Sequence, residues 1–334
     1  MRILVTGGAG YIGSHTVVEL LSVGHDVIVI DNFSNSKSSS FEAISKISGK
    51  DVIFYEGDVA DISFLRNVFS KHSIDAVIHF AGYKAVGESV EKPLKYYDNN
   101  LISTIRLLEV MEEYQCYRLV FSSSATVYGS PKSLPILEDF SLSTTNPYGT
   151  TKLMIETILT DVSASNSKWS FAMLRYFNPI GAHESGMIGE DPNGIPNNLM
   201  PYIMKVSTGE LPDLKIFGND YDTPDGTGVR DYIHVVDLAK GHLKAIDYVM
   251  EHVGVEAFNL GTGHGVSVLD LVHTFERVNH ISIPYTIVER RSGDIASCYA
   301  DCTKAHEKLH WTSSKTLEEM CEDSYRYVIN QKKK

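Results

Sequence analysis

Three glycines at intervals of three, set where a short apolar run ends and a helical pattern begins, restrict this chain more than any other feature. Residues 2–6 are mostly apolar and stop at Gly7-Gly8-Ala9-Gly10-Tyr11-Ile12-Gly13. Over residues 12–23 the apolar spacing turns helical, with Ile12, Val17, Val18, Leu20 and Leu21 available for one buried side, and Gly24 ends the pattern. Residues 26–30 form a second apolar run that closes on Asp31. Glycine is needed where a turn takes unusual backbone angles and where a ligand must approach the main chain. A helix N-terminus directly after such a loop presents free amides and partial positive charge to phosphate groups. Gly7, Gly10 and Gly13 in this strand-loop-helix-strand context therefore predict a dinucleotide cradle. Asp31 stands where a carboxylate would accept from the adenosine ribose hydroxyls and repel a 2′-phosphate, so NAD is expected rather than NADP.

The same alternation recurs along the chain. Strands are expected over residues 52–55, 76–80, 118–122 and 170–175, and helices over 62–72, 93–114 and 147–162. Apolar strands alternating with helices imply a parallel sheet covered on both faces. Beyond Asn178, Pro and Gly become frequent and the alternation is interrupted, then resumes over 235–250 and 257–260. The expected fold is α/β: a Rossmann-type doubly wound sheet with a smaller, partly interleaved C-terminal α/β substrate domain. Residues 1–177, with returns near 235–260, are assigned to NAD binding and residues 178–334 to substrate binding.

A chain of 334 residues, 43% hydrophobic and 22% charged, has enough apolar material for two such units. Its formal net charge of -12 argues against a nucleic-acid backbone or an anionic membrane as partner. Cys116, Cys298, Cys302 and Cys321 form no CxxC pair and no Cys/His cluster at zinc spacing, so no metal is expected and free thiols in a reducing cytoplasm are the plain reading. No charged-then-apolar leader opens the sequence, and no apolar run is long enough to span a bilayer.

Ser122, Ser123 and Ser124 follow the strand at 118–122 and should lie at its C-terminal end, where open parallel sheets bind ligands. Tyr148 and Lys152 follow, four positions apart, and a helix beginning at Pro147 would project both from one face. A free tyrosine is a poor base at neutral pH. A nearby ammonium and a positive nicotinamide ring would stabilise its phenolate, and Ser124 could hydrogen-bond the same substrate oxygen. The expected chemistry is hydride transfer at an alcohol carbon.

The glycine loop, Ser124 and Tyr148-Gly149-Thr150-Thr151-Lys152 resemble the extended short-chain dehydrogenase/reductase superfamily. Further segments resemble the UDP-galactose 4-epimerase family within it. They include His79-Phe80-Ala81-Gly82, Tyr96-Tyr97-Asp98-Asn99-Asn100, Ser122 through Gly129, Leu174-Arg175-Tyr176-Phe177-Asn178-Pro179, the stretch from Gly194 to Pro201 and Gly228-Val229-Arg230-Asp231-Tyr232-Ile233-His234. By that resemblance, NAD would meet the glycine loop with Tyr11 and Ile12, then Asp31, Asn32, Asn35, Ser36, Asp58, Val59, Phe80, Ala81, Gly82, Lys84, Asn99, Tyr148, Lys152 and Phe177. The UDP-hexose would meet Lys84, Ser124, Tyr148, Asn178, Asn198, Leu199, Lys215, Ile216, Phe217, Arg230, Arg291, Asp294 and Cys298. Arg230 and Arg291 offer forked donors suited to pyrophosphate oxygens.

The implied reaction is a redox-neutral 4-epimerisation through a 4-keto sugar. Related dehydratases and decarboxylases are similar but carry an acid just before Val-Tyr-Gly, where this chain has Ala125 and Thr126, neither able to transfer a proton at neutral pH. A non-catalytic NAD-responsive regulator is the reading from a different class; it becomes attractive only where the Tyr or Lys is lost. Family members pair as dimers through the helix bearing Tyr97, Leu101, Ile105 and Leu108, so a homodimer is expected, although core packing explains that apolar stripe first. Cys298 stands where family members restricted to glucose and galactose carry a tyrosine. The smaller side chain implies acceptance of UDP-GlcNAc and UDP-GalNAc beside UDP-glucose and UDP-galactose, the alternative being an enzyme restricted to one of these pairs.

Overall fold

The computed structural model describes residues 1–192, 196, 198–291 and 294–333. Gly194, Ile195 and Asn197 of the family-like stretch, Ser292 and Gly293 beside Arg291, and the terminal Lys334 lie outside the described residues. The first half of the chain runs β1 (Arg2–Thr6), α1 (Tyr11–Ser22), β2 (Asp26–Asp31), α2 (Ser39–Ser48), β3 (Ile53–Glu56), α3 (Ile62–Lys71) and β4 (Ala76–His79). It continues as α4 (Val86–Glu91), α5 (Pro93–Glu113), β5 (Arg118–Ser124), α6 (Pro147–Ser165) and β6 (Ser170–Tyr176). After these come β7 (Asn178–Ile180), α7 (Leu199–Ser207), β8 (Leu214–Phe217), β9 (Val229–Arg230), β10 (Tyr232–His234), α8 (Val235–Glu251) and β11 (Gly254–Leu260). The chain closes with β12 (Val266–Ser267), α9 (Val268–Asn279), β13 (Tyr285–Val288), β14 (Ser297–Cys298), α10 (Thr303–Leu309) and α11 (Leu317–Lys332).

Seven strands make one parallel sheet in the order β11-β6-β5-β4-β1-β2-β3. Both faces are covered, and the two-residue period of a strand decides which core each side chain enters. Ile3 and Val5 pack with Val17, Val29 and Leu238 on one face. Leu4 between them packs with Ile28, Val77, Leu107 and Leu159 on the other. Successive strands step one way from β1 to β3 and the other way from β4 to β6. The reversal opens a crevice at the carboxyl ends of β1 and β4, the place where such sheets take ligands. Gly7, Asp31, Phe80, Ser124 and Phe177 all lie at or just beyond these carboxyl ends.

The later elements are shorter and form a separate core of Ile180, Met200, Ile203, Ile216, Leu271, Phe275 and Met320. Two of them return to the large sheet: β11 pairs with β6, and α8 packs against α1. A fourth, small cluster of Val127, Tyr128, Ile136, Phe177 and Ala300, flanked by Ala125, Leu153 and Cys298, joins the serine strand to the C-terminal elements. Helix α2 was not expected from the sequence. Four serines dilute its pattern, yet Phe41 and Ile44, three apart, reach the core. No helix among the described residues is long and apolar enough to cross a membrane.

Three histidines are sealed in the large sheet's cores. His15 bonds the Tyr11 carbonyl at 2.7 Å, His79 lies between the Thr6 and Thr104 hydroxyls at 2.7 and 3.1 Å, and His242 meets the Leu238 carbonyl at 2.8 Å and the Tyr176 hydroxyl. Burial pushes all three down, His15 and His79 to about 3 and His242 to about 4. Below the ordinary histidine pKa of about 6.5 the unfolded chain binds protons that the folded one refuses, so stability falls as pH drops. Together they should cost about 4 kcal/mol between pH 7.5 and 5.5. Urea midpoints measured across that window should drop; an unchanged midpoint contradicts the neutral, buried state of these rings.

Candidate active site

The glycine loop is shaped by close approach. Gly7 has φ +71°, and a Cβ there would sit 2.9 Å from the Ala81 amide nitrogen. A Cβ on Gly13 would lie 2.3 Å from the Gly7 carbonyl oxygen, closer than any real contact. Gly10 caps α1 with no side-chain bond, and the first turn of α1 carries no acid. The amides of Tyr11, Ile12 and Gly13 are therefore left to an external acceptor. Asp31 is buried at the tip of β2 and accepts from the Ala9 amide at 2.9 Å, the Phe33 amide at 2.9 Å and the Ser36 hydroxyl at 2.7 Å. A carboxylate has about four lone-pair sites, so one direction remains for a ribose hydroxyl. Asn32 donates to Asp58 at 3.1 Å along the same rim. These residues fit a bound NAD: the loop has no side chains in the way, the helix end is uncapped, and the acidic tip rejects a 2′-phosphate.

Not every residue assigned to this cradle offers its side chain. Val59 is buried in the core beside Leu65, leaving its main chain alone for a ligand. The Asn99 amide donates to Asn100 at 3.0 Å. Asn100, assigned no role from sequence, is buried and binds the Tyr83 amide (2.8 Å), the Tyr83 carbonyl (3.1 Å) and the Thr151 hydroxyl (3.0 Å). It ties the loop after β4 to α6. Its only sequence signal was its place inside a family-like motif.

Helix α6 begins where the sequence suggested. Asn146 accepts from the Gly149 amide at 2.8 Å and Pro147 occupies the first turn. Ser124 ends β5 in extended conformation and accepts from the Thr126 amide (3.2 Å) and the Thr126 hydroxyl (3.0 Å). Both bonds use its oxygen as acceptor, which leaves its own proton to donate. Burial pushes the Tyr148 phenol up, while Ser124 and the charge of Lys84 pull it back. Lys152 donates to the Ser122 carbonyl at 2.6 Å with its ammonium 5.9 Å from the Tyr148 ring centre. Burial lowers it to about 8, with Glu156 opposing that fall. Glu156 is itself buried, clamped by two bonds from Arg175 at 3.0 and 2.7 Å.

Across the crevice, β14 pairs with β9 so that Cys298 lies opposite Arg230. Arg230 reaches Asp294 at 3.4 Å, and the Arg291 guanidinium stacks 3.9 Å above the Phe217 ring. Asn178 opens β7 with an exposed side chain, and Asn198 caps α7 ahead of Leu199. Two assignments on β8 are separated by the strand's alternation. Lys215 points outward to Asp213 at 2.7 Å, whereas Ile216 is buried in the lobe's core and can offer a ligand its main chain only. Asp231 carries no ligand role: it is fully buried and accepts from Thr262, Gly263 and Ala300, which fixes the glycine-containing loop after β11.

The family model described as GDP-mannose 4,6 dehydratase matches residues 4–324. The UDP-glucose 4-epimerase of Bacillus subtilis (strain 168) is 59% identical over 327 residues, covering 98% of this chain and 96% of that protein. That of Haemophilus influenzae is 58% identical over 334 residues, covering 100% and 99%. Among solved structures, UDP-glucose 4-epimerase from Bifidobacterium longum in complex with NAD+ and UDP superposes with a TM-score of 0.96 at 54% identity, over 99% of both chains. The cradle geometry makes one requirement strict. Gly13→Ala should weaken NAD binding at least about tenfold, because the clash is with backbone that has nowhere to move. Titration of the stripped protein with NAD reads this directly, and wild-type affinity in the variant would refute the fit.

Proposed function

The chain belongs to the UDP-galactose 4-epimerase family of extended short-chain dehydrogenases/reductases, an NAD-dependent isomerase, and we propose that Tyr148 is the single proton carrier of its reaction, with Ser124 and Lys152 as partners. The observation that carries this is a half-buried Tyr148 in the first turn of α6, with the Lys152 ammonium 5.9 Å from its ring, together with a Ser124 at the end of β5 whose own proton is free to donate. In this proposal residues 1–177, with the return near 235–260, hold NAD, and residues 178–334 hold the UDP-hexose. Bound there, NAD would supply the acceptor and later the donor of the hydride at the sugar's C4. Tyr148 accepts the 4-hydroxyl proton while Ser124 donates a hydrogen bond to the same oxygen. The sugar becomes a flat 4-keto species, and Arg230, Arg291, Asn178 and Asn198 hold it by the UDP rather than by the ring. The ring can then turn its other face, and Tyr148 gives the proton back.

The two residues that follow the serine strand, Ala125 and Thr126, supply no second acid. Ala125 has no proton to give, and the Thr126 hydroxyl is committed to Ser124 at 3.0 Å. This favours epimerisation over dehydration, in which a group must also leave. Cys298 packs against the small cluster that includes Phe177, as Ala125 does; Phe177 and Ala125 are the chain neighbours of Asn178 and Ser124. A thiol there leaves room that a tyrosine would fill, which supports turnover of UDP-GlcNAc and UDP-GalNAc as well as UDP-glucose and UDP-galactose. Val90, Leu94 and Met154, exposed on α4, α5 and α6, support a homodimer through these helices. Four free cysteines suit a cytoplasmic protein.

Tyr148→Phe should lower kcat about a thousandfold, within the usual range for a general acid-base group, with UDP-sugar affinity within about threefold of wild type; near-normal kcat would remove the mechanism. Cys298→Tyr should abolish activity on the 2-acetamido sugars and spare the glucose/galactose pair. Equal rates on UDP-GlcNAc before and after that substitution, or none before it, would refute the role of Cys298.

A further inference from the structure

Three loops surround the cradle, and a single later segment is fastened to all of them. In the sheet order β4-β1-β2 the glycine loop leaves the middle strand, with Lys84 beyond β4 on one side and Lys37 beyond β2 on the other. Residues 181–191, between β7 and α7, reach across. The Tyr11 hydroxyl, from the first turn of α1, donates to the Gly181 carbonyl at 2.7 Å. At the far end of the segment Glu190 accepts from the Lys84 ammonium at 3.0 Å, and Asp191, the next residue, is paired with Lys37. Two consecutive acids therefore join the loops on either side of the glycine loop. Between these fastenings the His183 amide donates to the Ile188 carbonyl at 3.2 Å, and Ile188 is buried in the core that Ala9 and Val17 enter. Glu190 is buried and also accepts from the Asn198 amide at 3.3 Å, whereas the Asp191 pair is open to solvent on both sides.

Resting on the assignment of the glycine loop to NAD, we propose that Glu190 and Asp191 are the latch of a strap across the cradle and set how fast NAD enters and leaves. A dinucleotide seated on the α1 N-terminus leaves when the strap parts from the two lysines. The near end of the strap is held by the Tyr11 bond and by burial of Ile188, so the ion pairs are the part that opens. Both lysines are half exposed or more, and pairs of this kind are weak in water and screened by salt. Each pair joins protein to protein and neither needs the dinucleotide, so weakening them speeds entry and exit alike. A reaction that stores its hydride within the site is served by such a slow exit, since the cofactor must outlast each cycle.

The test is exchange of bound NAD for isotopically labelled NAD in the holoenzyme, at about 50 and about 500 mM salt. The protein carrying both Glu190→Gln and Asp191→Asn should exchange about tenfold faster than wild type, and Asp191→Asn alone about twofold faster. The NAD Kd of both, from equilibrium dialysis, should stay within about threefold of wild type, because entry quickens with exit. Wild-type exchange should quicken with salt, and exchange in the double variant should respond far less. A double variant that exchanges at the wild-type rate overturns the proposal. So does a Kd that rises in step with the exchange rate, which would make the acids cofactor contacts and not a latch. If the double variant does not fold, the wild-type protein decides alone: exchange indifferent to salt overturns the latch. Gly13→Ala is run alongside. If it keeps wild-type NAD affinity, the cradle assignment fails; if it loses affinity while exchange in the double variant is unchanged, the latch alone is misassigned.

Discussion

Beneath α6, two full charges are buried against each other. Glu156 stands one turn beyond Lys152 and receives both arms of Arg175 from β6, together with the Ser123 hydroxyl of β5 at 2.5 Å. Arg175 continues to the Tyr128 hydroxyl and the Glu138 carbonyl, each at 2.9 Å, and Tyr128 donates to Asn259 of β11 at 2.6 Å. Removing one member of such a pair strands the other charge in the core, typically at a cost of about 3–5 kcal/mol. The network therefore fixes the rotation of α6 over the sheet. That rotation decides whether Tyr148 meets Ser124 and whether Lys152 meets the Ser122 carbonyl. A site needing placement within about half an ångström rests here on rigid strands and one buried ion pair.

The cradle and the proton carrier answer to different physics. The cradle works by absence: no Cβ at Gly7 or Gly13, no side-chain cap on α1, no acid in its first turn. Tyr148 works by balance. Burial raises the phenol, which alone would make it a poorer base, and Ser124 and Lys84 act against that rise. The same burial that penalises the phenolate strengthens each remaining charge around it.

Local features were legible in the sequence because they follow from spacing. Strand-glycine-helix order, Asp31 at the second strand's tip, the Pro147 start of α6 and the four-residue step from Tyr148 to Lys152 all need only short-range geometry. Long-range partners were not. Nothing in the sequence says that Glu190 reaches Lys84, 106 positions away, or that Asp231 holds the loop at Thr262, 31 positions on. Arg175 left a trace, a charge inside an otherwise apolar strand, but its partner Glu156 looked like any helix-surface acid. Ile216 shows the converse case, where the main chain and not the side chain remains for a ligand. Belonging to a family-like strand suggested contact with ligand, and the strand's alternation turned its side chain into the core.

The central claim is that a proton leaves the 4-hydroxyl oxygen and a hydride leaves C4, and that both are returned, with no exchange of the hydride. UDP-galactose carrying deuterium at C4, turned over in ordinary water and followed by mass spectrometry and NMR, measures this directly. The account predicts UDP-glucose that keeps its deuterium at C4, without washout over many turnovers. Replacement of that label by solvent hydrogen would contradict it, since C4 would then be inverting through proton loss rather than through hydride held within the site.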